Sequence, residues 1–182
     1  VCAGAARLKV VANSTWTRDR VAELSAPLLA AAPEPCRREA AASLASAAVV
    51  HPPADYESLS SLYDPGSKGG LVLTVSRLAP EKNLWSVVRV AARAPEAHFV
   101  VAGSSRGSAG AAAQLEALVD KLRVKNVTLE RDVPRRRLVE LYEEAKVYLH
   151  PLRSEPFGIA IAEGAAAGAV PVVYKDGGAG RT

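Results

Sequence analysis

Methionine is absent from this sequence of 182 residues, and only two cysteines and three histidines occur in it. Cys2 and Cys36 show neither the pattern of a disulfide framework nor the spacing of metal ligands, so a reducing, cytoplasmic setting is the default expectation. His51, His98 and His150 are far apart in the sequence, and we therefore expect no protein-bound metal. We interpret His51 and His98 as structural residues.

Several longer patterns are missing as well. No run approaches ~18 consecutive apolar residues, so we expect no membrane-spanning helix, and no secretory signal peptide is visible. The sequence also lacks a Walker phosphate loop, a dinucleotide-binding fingerprint and the Gly-x-Ser-x-Gly turn of serine hydrolases. Because there is no start methionine and the sequence stops in a glycine turn at 177–182, we expect a fragment of a longer protein.

Residues that build a core and bind anions are present. Hydrophobic residues make up 49% of the chain, which is enough for one domain or slightly more than one. Lys and Arg number 23 against 19 Asp and Glu, a formal net charge of +4. This mildly basic balance is compatible with a phosphate-bearing ligand or an anionic membrane surface, and it is too small to indicate nucleic acid.

Strands and helices alternate from residue 71 onward. Apolar runs predict strands at 71–76, 98–102, 127–129, 147–149 and 169–174, and helical spacing predicts helices at 83–94, 109–122, 134–145 and 157–167. Strands separated by helices imply an α/β fold of the Rossmann-like kind, a parallel sheet with helices on both faces. Ligands of such folds bind beyond the carboxyl ends of the strands, so function is expected in the loops that follow them.

The first 70 residues are less regular. We expect a short strand at 8–12, a helix from about Trp16 to Leu24 capped at 13–14, and a second helix near 36–46. Two prolines stiffen the extended segment 49–55, which we interpret as a linker between domains. The segment 56–70 is polar and ends in a loop at 67–70.

One stretch, 154–164, combines a turn, a predicted helix start and two carboxylates. Pro156 suits the first position of a helix, where no backbone N–H partner is needed. Glu155 precedes this position, and Glu163 is expected two helical turns into the helix. Since a helix N-terminus attracts anions, carboxylates there need another explanation. Hydroxyl groups of a sugar or a ribose supply one, because they donate hydrogen bonds to carboxylates.

Cations follow the first strand of the predicted sheet. Arg77 and Lys82 lie just before a predicted helix, and together they suit a diphosphate, which arginine can bind bidentately. The alternative is a solvated loop in which Lys82 pairs with Glu81 or another carboxylate. The loop alone favours this alternative, whereas its combination with the stretch 154–164 favours a binding site.

The remaining loops are less specific. Gly103 opens a Gly/Ser loop that is either a permissive turn or a close approach to a ligand. Val133 and the charged residues before it are candidates to frame a base. Gly177 and Gly178 form a turn that could close over a sugar or phosphate, or be an ordinary strand exit. The arginine run 135–137 is typical of a solvated helix face, with a weaker indication of an anionic membrane surface.

In combination these motifs resemble the retaining nucleotide-sugar glycosyltransferases of the GT-B fold. The resemblance rests on Glu155 and Glu163 with seven residues between them, on the Pro-Phe-Gly-Ile after the first, and on the Arg-Leu-Ala-Pro-Glu-Lys-Asn loop at 77–83. These motifs occur in the expected order, and the resemblance extends from residue 49 to residue 178. Ser76 stands where the family commonly has glycine.

The resemblance also implies a domain organisation. Residues 7–24 resemble the last strand and helix of the family's N-terminal domain, so we expect residues 1–48 to be a remnant of that acceptor domain with its connection. Residues 49–182 are expected to be the Rossmann-like donor-binding domain, truncated at its C-terminus. The amino-acid sequences of residues 10–17 and 51–55 are most similar to those of mannosyltransferases, including the α-1,2-mannosyltransferase of lipid-linked oligosaccharide assembly and archaeal relatives.

Each matching residue has an implied role. Arg77 and Lys82 would neutralise the donor diphosphate and stabilise the leaving group. Glu155 would bind hydroxyls of the donor sugar near the anomeric carbon, and Glu163 would hold the ribose hydroxyls. The remaining expected donor contacts are Phe157, Gly158, Ile159, Gly103, Val133, Gly177 and Gly178.

The implied reaction moves a hexose, with mannose preferred, from a nucleoside-diphosphate sugar such as GDP-mannose to a glycan or lipid-linked acceptor with retention. Neither a cofactor nor a metal nor a nucleic-acid partner is expected. The expected location is the cytoplasm or the cytosolic face of a membrane, reached peripherally through the missing N-terminal domain. Two alternatives stay open: a nucleotide-sugar-binding fragment that is inactive alone, and a sugar epimerase of the same fold.

Overall fold

The structure is a computed structural model that describes residues 9–106 and 109–181. The described chain separates into two compact units. The smaller unit contains the residues up to Pro53 together with 154–158 and the segment from 175 to the end of the described chain, and the larger contains 54–153 and 159–174. The assignment of 1–48 and 49–182 to acceptor and donor domains stays a prediction.

The smaller unit contains two short strands and two helices in the described residues: β1 Val11–Ala12, α1 Thr15–Ala31, α2 Cys36–Ala45 and β2 Ala48–Val49. The strands pair in parallel. Ser14 caps α1, because its side-chain oxygen accepts the backbone N–H of Thr17 at 3.0 Å, which confirms the predicted cap. The helix runs past the predicted end and contains Pro27. Cys36 takes part in a disulfide bond, which its spacing from Cys2 did not indicate; Cys2 lies outside the described residues.

A parallel sheet forms the centre of the larger unit. Its strands in the described chain are β3 Leu71–Val75, β4 His98–Gly103, β5 Val127–Arg131, β6 Ala145–Leu149 and β7 Val170–Val172. They lie in the order β5-β4-β3-β6-β7, and every pair of neighbours is parallel. The predicted α/β fold is therefore confirmed, and each predicted strand is present with its ends shifted by a few residues.

The helices of the larger unit, within the described residues, are α3 Tyr56–Ser60, α4 Trp85–Ala91, α5 Ala109–Leu122, α6 Arg135–Glu144 and α7 Ile159–Ala166. A 3-10 turn at Pro80–Lys82 precedes α4. The predicted loop at 67–70 is confirmed, and α3, which was not predicted, lies earlier in the same polar segment. The predicted helix start at Pro156 was wrong: α7 begins at Ile159, so Glu163 is one turn into the helix rather than two.

Apolar side chains cover the sheet on both faces. The helical spacing in α4 is confirmed, since Leu84, Val87, Val88 and Ala91 are all buried, together with residues of α5, against the sheet. Tyr142 of α6 is fully buried, and its ring stacks on that of Tyr148 in β6 at a centroid distance of 6.2 Å. Because helices cover both faces of the sheet, the strand ends and their loops are where a ligand can reach it.

The order of the strands locates the expected binding edge. From β3 the chain passes to β4 and β5 on one side, and then crosses to β6 and β7 on the other. Right-handed crossovers in opposite directions place helices on opposite faces and leave a crevice beyond the carboxyl ends of β3 and β6. The hydroxyl of Thr74 donates to the carbonyl of Leu149 at 2.7 Å, which ties these two strands together at that end.

Candidate functional site

An open cleft of about 430 Å³ lies at the carboxyl ends of β3, β4 and β5 in the larger unit. Its walls are Val75, Ser76, Arg77, Gly103, Ser104, Arg106, Asp132, Val133, Leu138 and Ala160. Three predicted site residues therefore line one cleft: Arg77, Gly103 and Val133. The cleft lies at the edge of the sheet where parallel α/β folds bind their ligands.

The loop after β3 is anchored to the core and presents Arg77 outward. Leu78 is buried, and its backbone N–H donates to the carbonyl of Ser104 at 2.9 Å. The guanidinium of Arg77 lies 3.0 Å from the carboxylate of Glu81, and both side chains are more than half exposed. An exposed pair of this kind contributes little stability, so a phosphate can compete for the guanidinium.

Asn83 connects this loop to the loop after β6, and sequence reasoning did not single it out. Its side-chain amide donates to the carbonyl of Pro151 at 2.9 Å, and its oxygen accepts the hydroxyl of Ser86 at 2.9 Å. Its φ of 53° is in the left-handed region, which asparagine tolerates better than most residues. Half-buried Lys82 is the last residue of the 3-10 turn and directly precedes this connection.

Gly103 is required by the close packing of two loops. A Cβ built on it would lie 1.7 Å from the carbonyl oxygen of Ser76. The backbone of β4 therefore passes against the exit of β3 at a distance that only glycine permits. Gly103 lines the cleft as backbone, and its contact partner in the structure is the neighbouring strand.

Polar residues from the β4 and β5 exits also line the cleft. Asp132 is among the charged residues before Val133 that were predicted to frame a base, whereas Arg106 had no assigned role. Asp132 accepts the backbone N–H of Ser105 at 2.9 Å and also its hydroxyl. The hydroxyl hydrogen bond is the main reason that the pKa of Asp132 is lowered. Arg106 lines the same cleft, so two arginines from separate loops face it. For Arg106 its position after a strand was the available signal, but no motif marked it.

Glu163 lies on α7 with its carboxylate held by two protein groups. The hydroxyl of Tyr142 donates to Oε2 at 2.9 Å, and a guanidinium nitrogen of Arg135 lies 3.2 Å from Oε1. The side chain is 14% exposed. A carboxylate has about four acceptor positions, so these two contacts leave acceptor capacity for a ligand.

The position of α7 places Glu163 near the cleft. Ala160 lines the cleft, and residues three apart lie on the same face of a helix. Gly164 lets α7 pack closely on β6, since a Cβ there would lie 2.7 Å from the ring of Tyr148. Ile159 is the first residue of α7. The carboxylate of Glu163 therefore lies about one helical turn along α7 from Ala160, the residue of this helix that lines the cleft.

In the smaller unit, Glu155 and the glycine turn lie side by side. Glu155 forms a parallel bridge with Gly177, and the N–H of Gly178 donates to the carbonyl of Glu155 at 2.8 Å. A Cβ on Gly178 would lie 1.8 Å from the carbonyl oxygen of Pro156, so this residue also must be glycine. The predicted contacts Glu155, Gly177 and Gly178 are therefore neighbours.

The adjoining residues of the same unit have clear local roles. The ring of Phe157 packs on that of His51 with a centroid distance of 5.1 Å. Gly158 has a φ of 87°, which is a left-handed conformation that suits glycine at the turn before α7. Within residues 9–106 and 109–181 no group of three or more His, Cys, Asp or Glu side chains could hold a metal ion. In the same ranges, the helices are too short or too polar to cross a bilayer.

A family model described as "Glycosyl transferases group 1" matches residues 63–182. The chain is 32% identical over 152 residues to a D-inositol 3-phosphate glycosyltransferase of Mycobacterium sp. (strain KMS), a match covering 71% of this chain and 34% of that protein. It is 28% identical over 188 residues to the GDP-Man:Man(3)GlcNAc(2)-PP-Dol alpha-1,2-mannosyltransferase of Neurospora crassa, a match covering 93% of this chain and 33% of that protein. The chain thus spans about a third of the length of these relatives.

Solved structures are similar in fold. A glycosyltransferase from Rickettsia africae ESF-5 matches with a TM-score of 0.74 at 15% identity, covering 95% of this chain and 46% of that one. HepE of Anabaena, in complex with UDP-glucose, matches with a TM-score of 0.71 at 20% identity, covering 97% and 48%. At these identities the likeness shows the fold, and it extends over about half of each larger chain.

Proposed function

Because this chain belongs to the group 1 family of glycosyl transferases, we propose that it binds the nucleoside-diphosphate sugar from which its parent protein transfers a hexose. Its fold is the C-terminal, donor half of the GT-B architecture. The observation that carries the proposal is the cleft at the sheet edge, with Arg77 and Arg106 in its wall and the carboxylate of Glu163 one helical turn behind it.

The diphosphate is assigned to the cations after β3. Arg77 is on an anchored loop and is paired with the exposed carboxylate of Glu81, and Lys82 follows in the same loop. Breaking the bond between the sugar and the diphosphate leaves negative charge on the departing phosphate. Fixed cations at that position stabilise the transition state more than the bound substrate, which is how they accelerate the reaction.

The ribose is assigned to Glu163. A carboxylate with spare acceptor positions matches the two neighbouring hydroxyls of a ribose, each of which can donate one hydrogen bond. Val133 and the residues at the exit of β5 line the same cleft and are assigned to the base. The nucleoside would therefore extend from the cleft wall toward α7.

The donor sugar is assigned to the stretch that contains Glu155. This assignment rests on motif order, with Glu155 acting on sugar hydroxyls near the anomeric carbon and the backbone of Phe157, Gly158 and Ile159 contacting the sugar or phosphates. Gly177 and Gly178, which pack on the backbone at 155–156, belong to the same group of residues. Retention of anomeric configuration is part of this proposal.

For the donor, we favour mannose carried by GDP. One relative acts on GDP-Man according to its name, while another is named for inositol phosphate and a structural neighbour holds UDP-glucose. The proposed acceptor is a glycan or a lipid-linked saccharide, met in the cytoplasm or at the cytosolic face of a membrane. No metal or cofactor is required by the proposal, since Arg77 and Lys82 supply the positive charge.

A second candidate function is donor binding without transfer by the chain on its own. It is favoured by one observation: the chain spans about a third of the relatives and about half of the similar structures. The two candidates differ in a direct measurement. If the isolated chain binds GDP-mannose but neither hydrolyses it nor transfers its sugar to an acceptor, the second candidate is supported. Turnover of GDP-mannose by the isolated chain supports the first.

Isothermal calorimetry with GDP-, UDP- and ADP-sugars tests the site. Glu163→Ala and Arg77→Ala should each weaken binding of the preferred nucleoside diphosphate by about 1.5–3 kcal/mol, because each removes a hydrogen bond to a charged group. Arg89→Ala, at an exposed arginine on α4, is the matched control and should leave affinity unchanged. Unchanged affinity in both site variants would overturn the assignment.

A further inference from the structure

The three arginines at the start of α6 have different environments. Arg136 is 90% exposed and lies 3.4 Å from Glu140 on its own helix. Arg137 pairs with Glu130 at 2.8 Å and with Glu140 at 3.3 Å. Arg136 fits the predicted solvated face of a charge run, whereas Arg137 joins α6 to β5 through Glu130. Arg135 differs from both, because it contacts the residue before α3 and a carboxylate of α7.

Arg135 is placed between two carboxylates. One guanidinium nitrogen donates to Asp55 at 2.7 Å, and another lies 3.2 Å from Oε1 of Glu163. Asp55 directly precedes α3 and also accepts the hydroxyl of Ser58. The planar guanidinium is therefore fixed at both ends, which a flexible ammonium group could not reproduce.

Arg135 and Tyr142 contact different oxygens of the Glu163 carboxylate. Tyr142 is fully buried and donates to Oε2, whereas Arg135 contacts Oε1. In the described part of the chain, Tyr142 and Arg135 each contact one carboxylate oxygen, so two contacts set the plane of the carboxylate. A diol that donates one hydrogen bond to each oxygen needs this plane to be fixed in advance.

We infer that Arg135, anchored by Asp55, is a positioning residue that orients the carboxylate of Glu163 to accept both hydroxyls of the donor's ribose. The inference rests on the proposed function, in which Glu163 binds the ribose, and adds the residue that prepares it. Arg135 itself does not touch the donor. Its removal should therefore weaken binding only of ligands that carry the ribose hydroxyls.

The test compares ligands with and without those hydroxyls. Calorimetry measures the dissociation constants of GDP and UDP, each beside its 2′,3′-dideoxy analogue, for the native chain, Glu163→Gln, Arg135→Gln and Asp55→Asn. Arg136→Gln is the matched control, since it removes the neighbouring exposed charge. Thermal melting of every variant reports whether the fold is retained.

Arg135→Gln should weaken binding of the preferred nucleoside diphosphate about tenfold, the equivalent of one charged hydrogen bond, and leave its dideoxy analogue nearly unaffected. Asp55→Asn should have a smaller effect of the same kind, and Arg136→Gln none. An equal loss of affinity for both ligands in Arg135→Gln would overturn the inference, because a merely structural role predicts that result.

The outcomes separate this inference from the proposed function. If Glu163→Gln abolishes the preference for the ribose form and Arg135→Gln does not, the positioning role is wrong while the ribose assignment stands. If the native chain shows no preference for the ribose form over the dideoxy form, the ribose assignment fails and takes the positioning role with it.

Discussion

Gly103 and Gly178 show how a glycine in a functional loop can be explained by the protein's own packing. Each lies where a Cβ would come within 2 Å of a carbonyl oxygen, at Ser76 in one case and at Pro156 in the other. Both were predicted as ligand contacts, and both positions adjoin residues with assigned ligand roles. Their backbone can contact a ligand only because the absence of a side chain first lets two segments approach each other.

Substitution of Gly103 should therefore act mainly on the stability of the fold and not on ligand binding. Gly103→Ala forces the backbone of β4 away from Ser76, and overpacking of this kind costs ~1–3 kcal/mol. Urea unfolding followed by circular dichroism measures the change. Gly110→Ala is the matched control: among the described residues outside its own turn of helix, nothing lies within 4 Å of the added Cβ, and alanine in a helix should stabilise α5 slightly. Equal stability of the two variants would contradict the packing explanation.

The candidate site could be predicted from the sequence only in part. Arg77 and Val133 were predicted because they follow apolar strands, and the carboxyl ends of parallel strands share one edge. Asp132 was predicted with Val133 by the same rule. Arg106 satisfies the rule too but is in a loop without a motif, so nothing distinguished it from a solvated residue. Arg135 could not be predicted, because its anchoring contact is with a residue 80 positions earlier in the chain.

At the scale of the elements, Lys68 joins the ends of two helices. Its ammonium group donates to backbone carbonyls of Tyr142 and Glu143 in α6 and of Ala167 just after α7, at distances of 2.5 to 3.1 Å. The last carbonyls of a helix have no partner within the helix, and a cation there also suits the helix dipole. Burial lowers the pKa of Lys68, which is the cost of placing the ammonium among these carbonyls.

Removal of this contact should loosen both helices that carry the Glu163 network. Lys68→Met keeps the aliphatic length and leaves the carbonyls without a donor, so we expect a loss of about 1–3 kcal/mol in the free energy of unfolding. Lys121→Met, at an exposed lysine in the last turn of α5, is the control and should change stability by less than about 0.5 kcal/mol. Chemical denaturation distinguishes the two, and a similar small effect of both would show that water replaces Lys68.

The elements of the sheet were predictable because their residues form short apolar runs separated by helical spacing. The polar sequence 56–70 contains no such pattern, and α3 is stabilised instead by buried Leu59 against the rest of the unit. The start of α7 was predicted too early. Pro156 suits the first position of a helix, but its backbone carbonyl packs closely against Gly178 instead. Tertiary contacts, which local sequence does not encode, decided both cases.

At the scale of the whole molecule, ionisable groups define a pH range of stability. The pKa values of Asp55 and Asp132 are lowered, mainly by hydrogen bonds from the hydroxyls of Ser58 and Ser105. Carboxylates with lowered pKa values stabilise the fold above about pH 4, and this contribution is lost as the pH falls further. The pKa of Tyr142 is raised, mainly by burial, so its contribution is complete below about pH 10 and is lost above it.

The melting temperature should therefore be highest on a plateau between about pH 5 and pH 9 and should fall on both sides. On the alkaline side the unfolded chain releases the proton of Tyr142 while the folded chain retains it, which favours unfolding. Tyr142→Phe should lower the melting temperature on the plateau, because the hydrogen bond to Glu163 is lost, and should make the decline above pH 10 shallower. Lys68 titrates in both proteins, so the comparison cancels its effect. Tyr56→Phe, at an exposed tyrosine, should leave the whole profile unchanged, and an equally steep alkaline decline in Tyr142→Phe would show that another group controls that edge.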